Sequence, residues 1–71
     1  MMNGKRSQNA EYFLELECEP LYESLRAKLS ATQREVARMV YRRIEFMAYR
    51  GDFRGARQHL SELHEMDRVA A

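Results

Sequence analysis

Two histidines and one cysteine are the nitrogen and sulfur ligands that this chain could offer to a zinc ion. His59, His64 and Cys18 are its full complement of these two types. A helical zinc site uses two histidines four residues apart, because that spacing puts both rings on one face. Here the spacing is five residues, which separates the rings by about 140° around a helix. We therefore predict no metal site, and nothing else in the sequence indicates a cofactor.

Cys18 is also the candidate for a nucleophile. It lies between Glu17 and Glu19, and neighbouring carboxylates disfavour the reactive thiolate. With 3 glycines in 71 residues, the chain offers no glycine-rich phosphate loop and little room for an enclosed substrate pocket. We predict that the protein has no catalytic residues and is not an enzyme.

The tripeptide Arg50-Gly51-Asp52 matches a cell-adhesion motif. The same three residues are also what a helix end, a left-handed turn and a new helix N-cap require. We interpret them as the turn between two helices.

Arg34, Arg38 and Arg42 would form a basic ridge along one helix face. A strand followed by two helices in a dimer is the order of ribbon-helix-helix repressors, so the alternative function is a small dimeric DNA-binding regulator. The strand residues of that class enter the major groove, where glutamates between residues 15 and 19 would be repelled by phosphate. We therefore do not expect nucleic acid as a partner, and we favour a solvated ridge paired with nearby carboxylates.

The polar side of the same helix has the composition of a protein-binding surface. Tyrosine and arginine are enriched at the energetic centres of protein interfaces. The predicted partner-binding residues are Tyr41, Arg38, Arg42, Glu45 and Tyr49. For Tyr41 a place at the edge of the core is an equally good interpretation, and the sequence leaves the two open.

Charge and polarity divide the chain into three parts, although its net charge is only +1. Residues 1–10 are polar and predict a flexible tail. Residues 11–19 form an acidic arm, and residues 20–71 form the predicted helical hairpin domain. Because five glutamates in residues 8–25 precede nine basic residues in 26–57, we expect the two regions to contact each other, within one chain or across a dimer.

The secondary structure of the acidic arm is ambiguous. Tyr12, Leu14, Leu16 and Cys18 alternate with mostly acidic residues, which is the period of a half-buried strand. Glutamate and leucine are also good helix formers. Strand and one-sided helical turn remain equal alternatives.

The rest of the chain predicts an all-α fold. Pro20 fits the first turn of a short helix over about 20–29, and Thr32 with Glu35 has the spacing of a capping box. The long helix over about 33–50 has an apolar stripe, and a second helix follows over about 53–67. Whether 20–50 is one helix or two stays open. The predicted stripe of the long helix comprises Val36, Val40, Ile44 and Met47, with Ala37 and Ala48 beside it.

The apolar sector of the long helix is wider than one partner helix can cover. Met39 and Phe46 lie on its extra flank, and chains this short rarely obtain enough stability from one core. We therefore predict a homodimer of hairpins. The predicted dimer interface consists of Met39, Phe46, Leu25 and Leu29.

Over residues 30–68 the chain resembles the small phage-encoded quorum-sensing anti-activators, in length, in helix placement and in a tyrosine midway along the long helix, here Tyr41. The resemblance implies a dimer of helical hairpins that takes part in host takeover by a bacteriophage. It also implies a non-catalytic inhibitor that binds a host LuxR-type transcription regulator and keeps it off DNA. Inhibition of a pilus-assembly ATPase would be a second activity.

Hydropathy predicts no association with a membrane. No apolar run approaches the roughly 18 residues of a membrane span, and the sequence MMNGKRSQNA lacks the apolar stretch of a secretory signal. We expect a cytoplasmic protein, located in the host cytoplasm if it is phage-encoded.

Overall fold

A computed structural model describes residues 9–70 as a rod of three packed helical segments, with extents of 41 × 17 × 17 Å. A helical stretch begins at residue 9 and contains a π-helical turn, Leu14–Cys18, which leads directly into α1, Glu19–Lys28. The other two helices are α2, Ala31–Tyr49, and α3, Phe53–Ala70. The predicted all-helical fold is confirmed for this part of the chain.

The acidic arm is helical, which decides between the two alternatives. From residue 10 to residue 18 the buried side chains are Ala10, the adjacent pair Phe13 and Leu14, and Cys18. They recur every three to four residues, as on one face of a helix, and do not alternate as in a strand. Leu16, which the alternation groups with Leu14, is 70% exposed. Because residues 11–19 form no strand, residues 9–70 do not have the strand-helix-helix order of a ribbon-helix-helix repressor.

Pro20 explains the π-helical turn. A proline inside a helix has no N–H to donate, and its ring clashes with the carbonyl four residues earlier, here that of Leu16. In the wider turn the Glu19 N–H donates to the Leu14 carbonyl, five residues back. One extra residue in the turn lets the helix continue through the proline. The helix therefore does not start at Pro20, as the sequence suggests, but passes through it.

The flexible tail predicted for residues 1–10 does not extend to residue 10. Residues 1–8 lie outside the described residues, whereas residues 9 and 10 are helical and Ala10 is fully buried.

Two helices, not one, cover residues 20–50. Leu29 has an extended ψ of 151° and Ser30 begins a new helix. The Gln33 N–H donates to Ser30 Oγ at 3.3 Å, and the Ser30 N–H donates to Gln33 Oε1 at 3.3 Å. This capping box lies two residues before the predicted pair, Thr32 and Glu35. Ser30 is the N-cap because it is itself extended, with a ψ of 168°, while its carbonyl accepts the first helical hydrogen bond from the Arg34 N–H at 2.8 Å.

The turn between α2 and α3 follows the prediction. Gly51 has a φ of 86°, a left-handed conformation that glycine adopts without strain. The Gly55 N–H donates to Asp52 Oδ1 at 2.9 Å, so Asp52 caps α3. α2 and α3 therefore form an antiparallel hairpin, and α3 continues three residues beyond its predicted end.

The core lies where α1 packs across both helices of the hairpin. On α2 the buried residues are Ala37, Val40, Ile44 and Ala48. Val36, predicted to lie in the stripe, is 48% exposed. α1 approaches α2 from the side of the alanines, where Tyr22 and Tyr41 stack. This contact turns the buried sector of α2 away from Val36.

Candidate protein-binding site

The outward side of α2 carries large apolar side chains in contact with solvent. Val36, Met39, Phe46 and Tyr49 are all exposed, and Phe46 is 62% exposed. Arg42, Arg43 and Arg50 are exposed on the same side of the helix. We call these seven residues the α2 outer face. A cluster of large apolar residues bordered by charges is typical of an interaction surface.

The second half of this face forms a shallow groove. It is lined by Arg42, Glu45, Phe46, Tyr49 and Arg50. The guanidinium of Arg50 lies 5.2 Å from the centre of the Phe46 ring, within the range of a cation–π contact. Two arginines beside an exposed phenylalanine suit a partner segment that is both apolar and acidic.

The structure brings together three of the predicted partner-binding residues, Arg42, Glu45 and Tyr49, in this groove. Helical spacing of three and four residues accounts for their proximity, since such residues share a face. Phe46, which was predicted for the dimer interface, lies among them. Met39, also predicted for the dimer interface, is 54% exposed about two turns earlier on the same side.

Tyr41 lies apart from the groove, on the side of α2 that faces α1. Its ring stacks on Tyr22, with centroids 4.4 Å apart and an interplanar angle of 13°. Burial is the main cause that raises the pKa of the Tyr41 hydroxyl, and the nearby Glu19 and Glu45 raise it further. Tyr41 thus packs against the core, which was one of the two interpretations.

Arg38 also lies outside the groove. It lines a separate surface depression between α1 and α2, together with Tyr22, Arg26, Ala31, Arg34 and Glu35. Its guanidinium is 4.0 Å from a Glu35 carboxylate oxygen, and both side chains are more than half exposed. An exposed pair at this distance contributes little to stability. The basic ridge is therefore solvated, as the sequence suggested.

The prediction that Leu25 and Leu29 lie in a dimer interface is wrong. Leu25 is completely buried and Leu29 is 7% exposed within a single chain. They point into the core because α1 packs on both hairpin helices, and they are not accessible to a second copy.

His59, His64 and Cys18 are the side chains considered for metal binding or catalysis. His59 Nδ1 is 2.7 Å from a Glu62 carboxylate oxygen, and His64 is exposed. Burial, with a smaller contribution from Glu17, raises the pKa of the Cys18 thiol to about 11, so the thiol is protonated at neutral pH. Within residues 9–70 there is no cluster of three or more side chains suited to a metal ion.

A second exposed apolar site was missed in the sequence. Tyr12 is 56% exposed and Leu16 is 70% exposed, and both line a shallow groove beside Phe53 and Arg57. The strand-like alternation grouped them with the buried Leu14 and Cys18. A helical spacing counted from Ala10 would have identified them as outward residues.

The helices show no feature of a membrane span. Across the described part of the chain, none combines the length and the apolar character needed to cross a bilayer.

Comparison of the chain with known protein families, with curated proteins and with solved structures gave no match.

Proposed function

We propose that this protein is a non-catalytic binding module that acts by covering a surface of another protein. The observation that carries the proposal is the α2 outer face, where Phe46 is exposed beside Arg42, Tyr49 and Arg50. Exposing a large apolar side chain costs about 1.5–3 kcal/mol relative to burying it. Several such residues on one side of one helix are therefore best explained by a contact that buries them.

The chemistry of this face defines the partner. Its apolar centre requires an apolar counterpart, and its arginines favour carboxylates at the edge of the contact. We propose an acidic, amphipathic protein segment as the ligand. The resemblance to phage-encoded anti-activators suggests a host LuxR-type transcription regulator as the first candidate, with a pilus-assembly ATPase as the second. The protein would block such a target by occupying its surface.

The test measures binding of the purified chain to a purified LuxR-type regulator by isothermal titration calorimetry. Phe46→Ser removes the apolar centre of the face, and we expect it to weaken binding at least about tenfold, as for an energetic centre of an interface. Val69→Ser is the matched control, since Val69 is 73% exposed on α3 and away from the face. Equal weakening by both variants, or no binding by the unmodified chain, contradicts this partner.

A gel-shift assay separates inhibition from simple binding. The chain is added to the regulator bound to its operator DNA, and we expect the regulator to be released. The chain alone is also incubated with random duplex DNA at several salt concentrations. Direct binding that weakens steeply with salt would favour the DNA-binding alternative, which uses Arg34, Arg38 and Arg42.

A further inference from the structure

The glutamates of the N-terminal helical stretch are exposed and lie beside exposed apolar residues. Glu11, Glu15 and Glu19 are on the solvent side, next to Tyr12 and Leu16. We call these five residues the N-terminal acidic face. It has the composition that the α2 outer face would recognise: two large apolar side chains with carboxylates around them.

Within one chain these two faces do not neutralise each other. Among residues 9–70, the ion pair formed by the acidic arm joins Glu17 to Arg57 of α3, at 3.2 Å. None of the ion pairs in this part of the chain links a glutamate of the arm to an arginine of α2. The contact expected between the acidic and basic regions is therefore made within one chain by Glu17 and Arg57, whereas the arginines of α2 remain available to the acidic face of a second molecule.

The N-terminal acidic face and the second half of the α2 outer face lie at the same end of the rod. The Phe13 and Phe53 rings meet edge to face with centroids 5.5 Å apart, so the N-terminal stretch lies beside the start of α3. The end of α2, with Phe46 and Tyr49, is joined to Phe53 by the short turn at Gly51. A two-fold axis near this end would let each molecule offer one face and receive the other.

We propose that two copies of this chain associate at this end, with the N-terminal acidic face of each copy docked on the α2 outer face of the other. A symmetric contact between two α2 outer faces is disfavoured, because residues 34–50 contain five arginines and two glutamates. Such a contact would bring like charges together. The reciprocal contact pairs opposite charges twice and covers exposed apolar residues on both sides.

The contact rests on the proposed function, because it uses the α2 outer face as a receptor for an acidic apolar segment. The second copy would then occupy that face until another protein displaces it.

Charge reversal tests the pairing. Arg42→Glu/Arg43→Glu makes the α2 outer face acidic, and Glu11→Arg/Glu15→Arg makes the N-terminal face basic. All four side chains are exposed, and circular dichroism checks that each variant keeps its helicity. Sedimentation equilibrium of the chain without any other protein measures self-association. We expect each double variant alone to associate at least about tenfold more weakly than the unmodified chain.

Mixing the two variants is the decisive step. In the mixed pair, both contacts again join opposite charges, so we expect association to return to within about threefold of the unmodified value and to weaken at high salt. Three results overturn the proposal: a monomeric unmodified chain, unchanged association of Glu11→Arg/Glu15→Arg, or no recovery on mixing. Because no regulator is present, these results leave binding to a host protein unaffected.

Discussion

The two sides of α2 differ in the size of the side chains they carry. The inward side is built from Ala37, Val40, Ile44 and Ala48, whereas the outward side carries Met39, Phe46 and Tyr49. Small residues let α1 and α3 approach α2 closely. The larger apolar residues are left outside this packing and are available for contacts with another molecule. Apolar character alone thus does not identify the core of this helix.

The largest effect expected from this difference concerns Ile44 and Phe46, which lie two residues apart on opposite sides. Ile44→Ala leaves a cavity at a fully buried position, and we expect it to lower the free energy of unfolding by about 2–5 kcal/mol. Phe46→Ala removes a ring that is exposed in a single chain, and we expect a change within about 0.5 kcal/mol at concentrations low enough to keep the chain monomeric. Urea unfolding followed by circular dichroism measures both. Similar losses for the two variants under these conditions would contradict the assignment of Phe46 to the outward side of α2.

A smaller effect tests whether close packing explains the alanines. Ala37 is completely buried, so Ala37→Leu forces additional atoms between packed helices. We expect a loss of about 1–3 kcal/mol in the free energy of unfolding. Met39→Leu, on the exposed side, is the control and should change it by less than about 0.5 kcal/mol. Thermal unfolding compares the pair, and an unchanged melting temperature for Ala37→Leu would contradict a tight contact at this position.

The smallest effect is a pH dependence confined to alkaline solution. Burial raises the pKa of Cys18 to about 11 and also raises that of Tyr41. Their protonated forms stabilise the folded state, so this contribution is complete below the pKa of the unfolded thiol, about 8.5–9, and is lost as the pH rises above it. We expect a loss below about 1 kcal/mol at pH 9, increasing at higher pH.

Cys18→Ala and Tyr41→Phe each remove one titrating group, and each should flatten part of the decline in stability between pH 8 and 11. Chemical unfolding at a series of pH values measures it. Stability that rises over this range would contradict the assignment of these two groups to the inward side.

Local signals predicted much of the fold. Gly51 and Asp52 identified the turn, and local signals placed the helical segments of residues 20–67 within a few residues of their observed bounds. Whether 20–50 is one helix or two was decided only by the structure. The acidic arm was ambiguous because a short segment of alternating residues fits a strand, while the burial of Ala10, Phe13 and Cys18 depends on packing with distant residues.

The candidate site was predicted only in part, because helical spacing describes one helix and not the contacts between helices. Helical spacing was sufficient to group Arg42, Glu45 and Tyr49, and it marked Phe46 as lying off the main stripe. Helical spacing could not predict that Tyr41 stacks on Tyr22, because that contact joins two helices. Helical spacing also failed to predict the exposure of Val36, since the packing of α1 decides which edge of α2 is covered.

The π-helical turn before Pro20 determines which side chains of the first helical stretch face outward. Such a turn contains one more residue than an α-helical turn, and one residue corresponds to about 100° of rotation. A deletion of one residue between Leu14 and Cys18 would therefore rotate everything upstream about the helix axis. Tyr12 lies upstream of the turn, so a length change of one amino acid there would rotate this side chain away from its place beside Phe53 and Arg57 and dismantle the groove that they share.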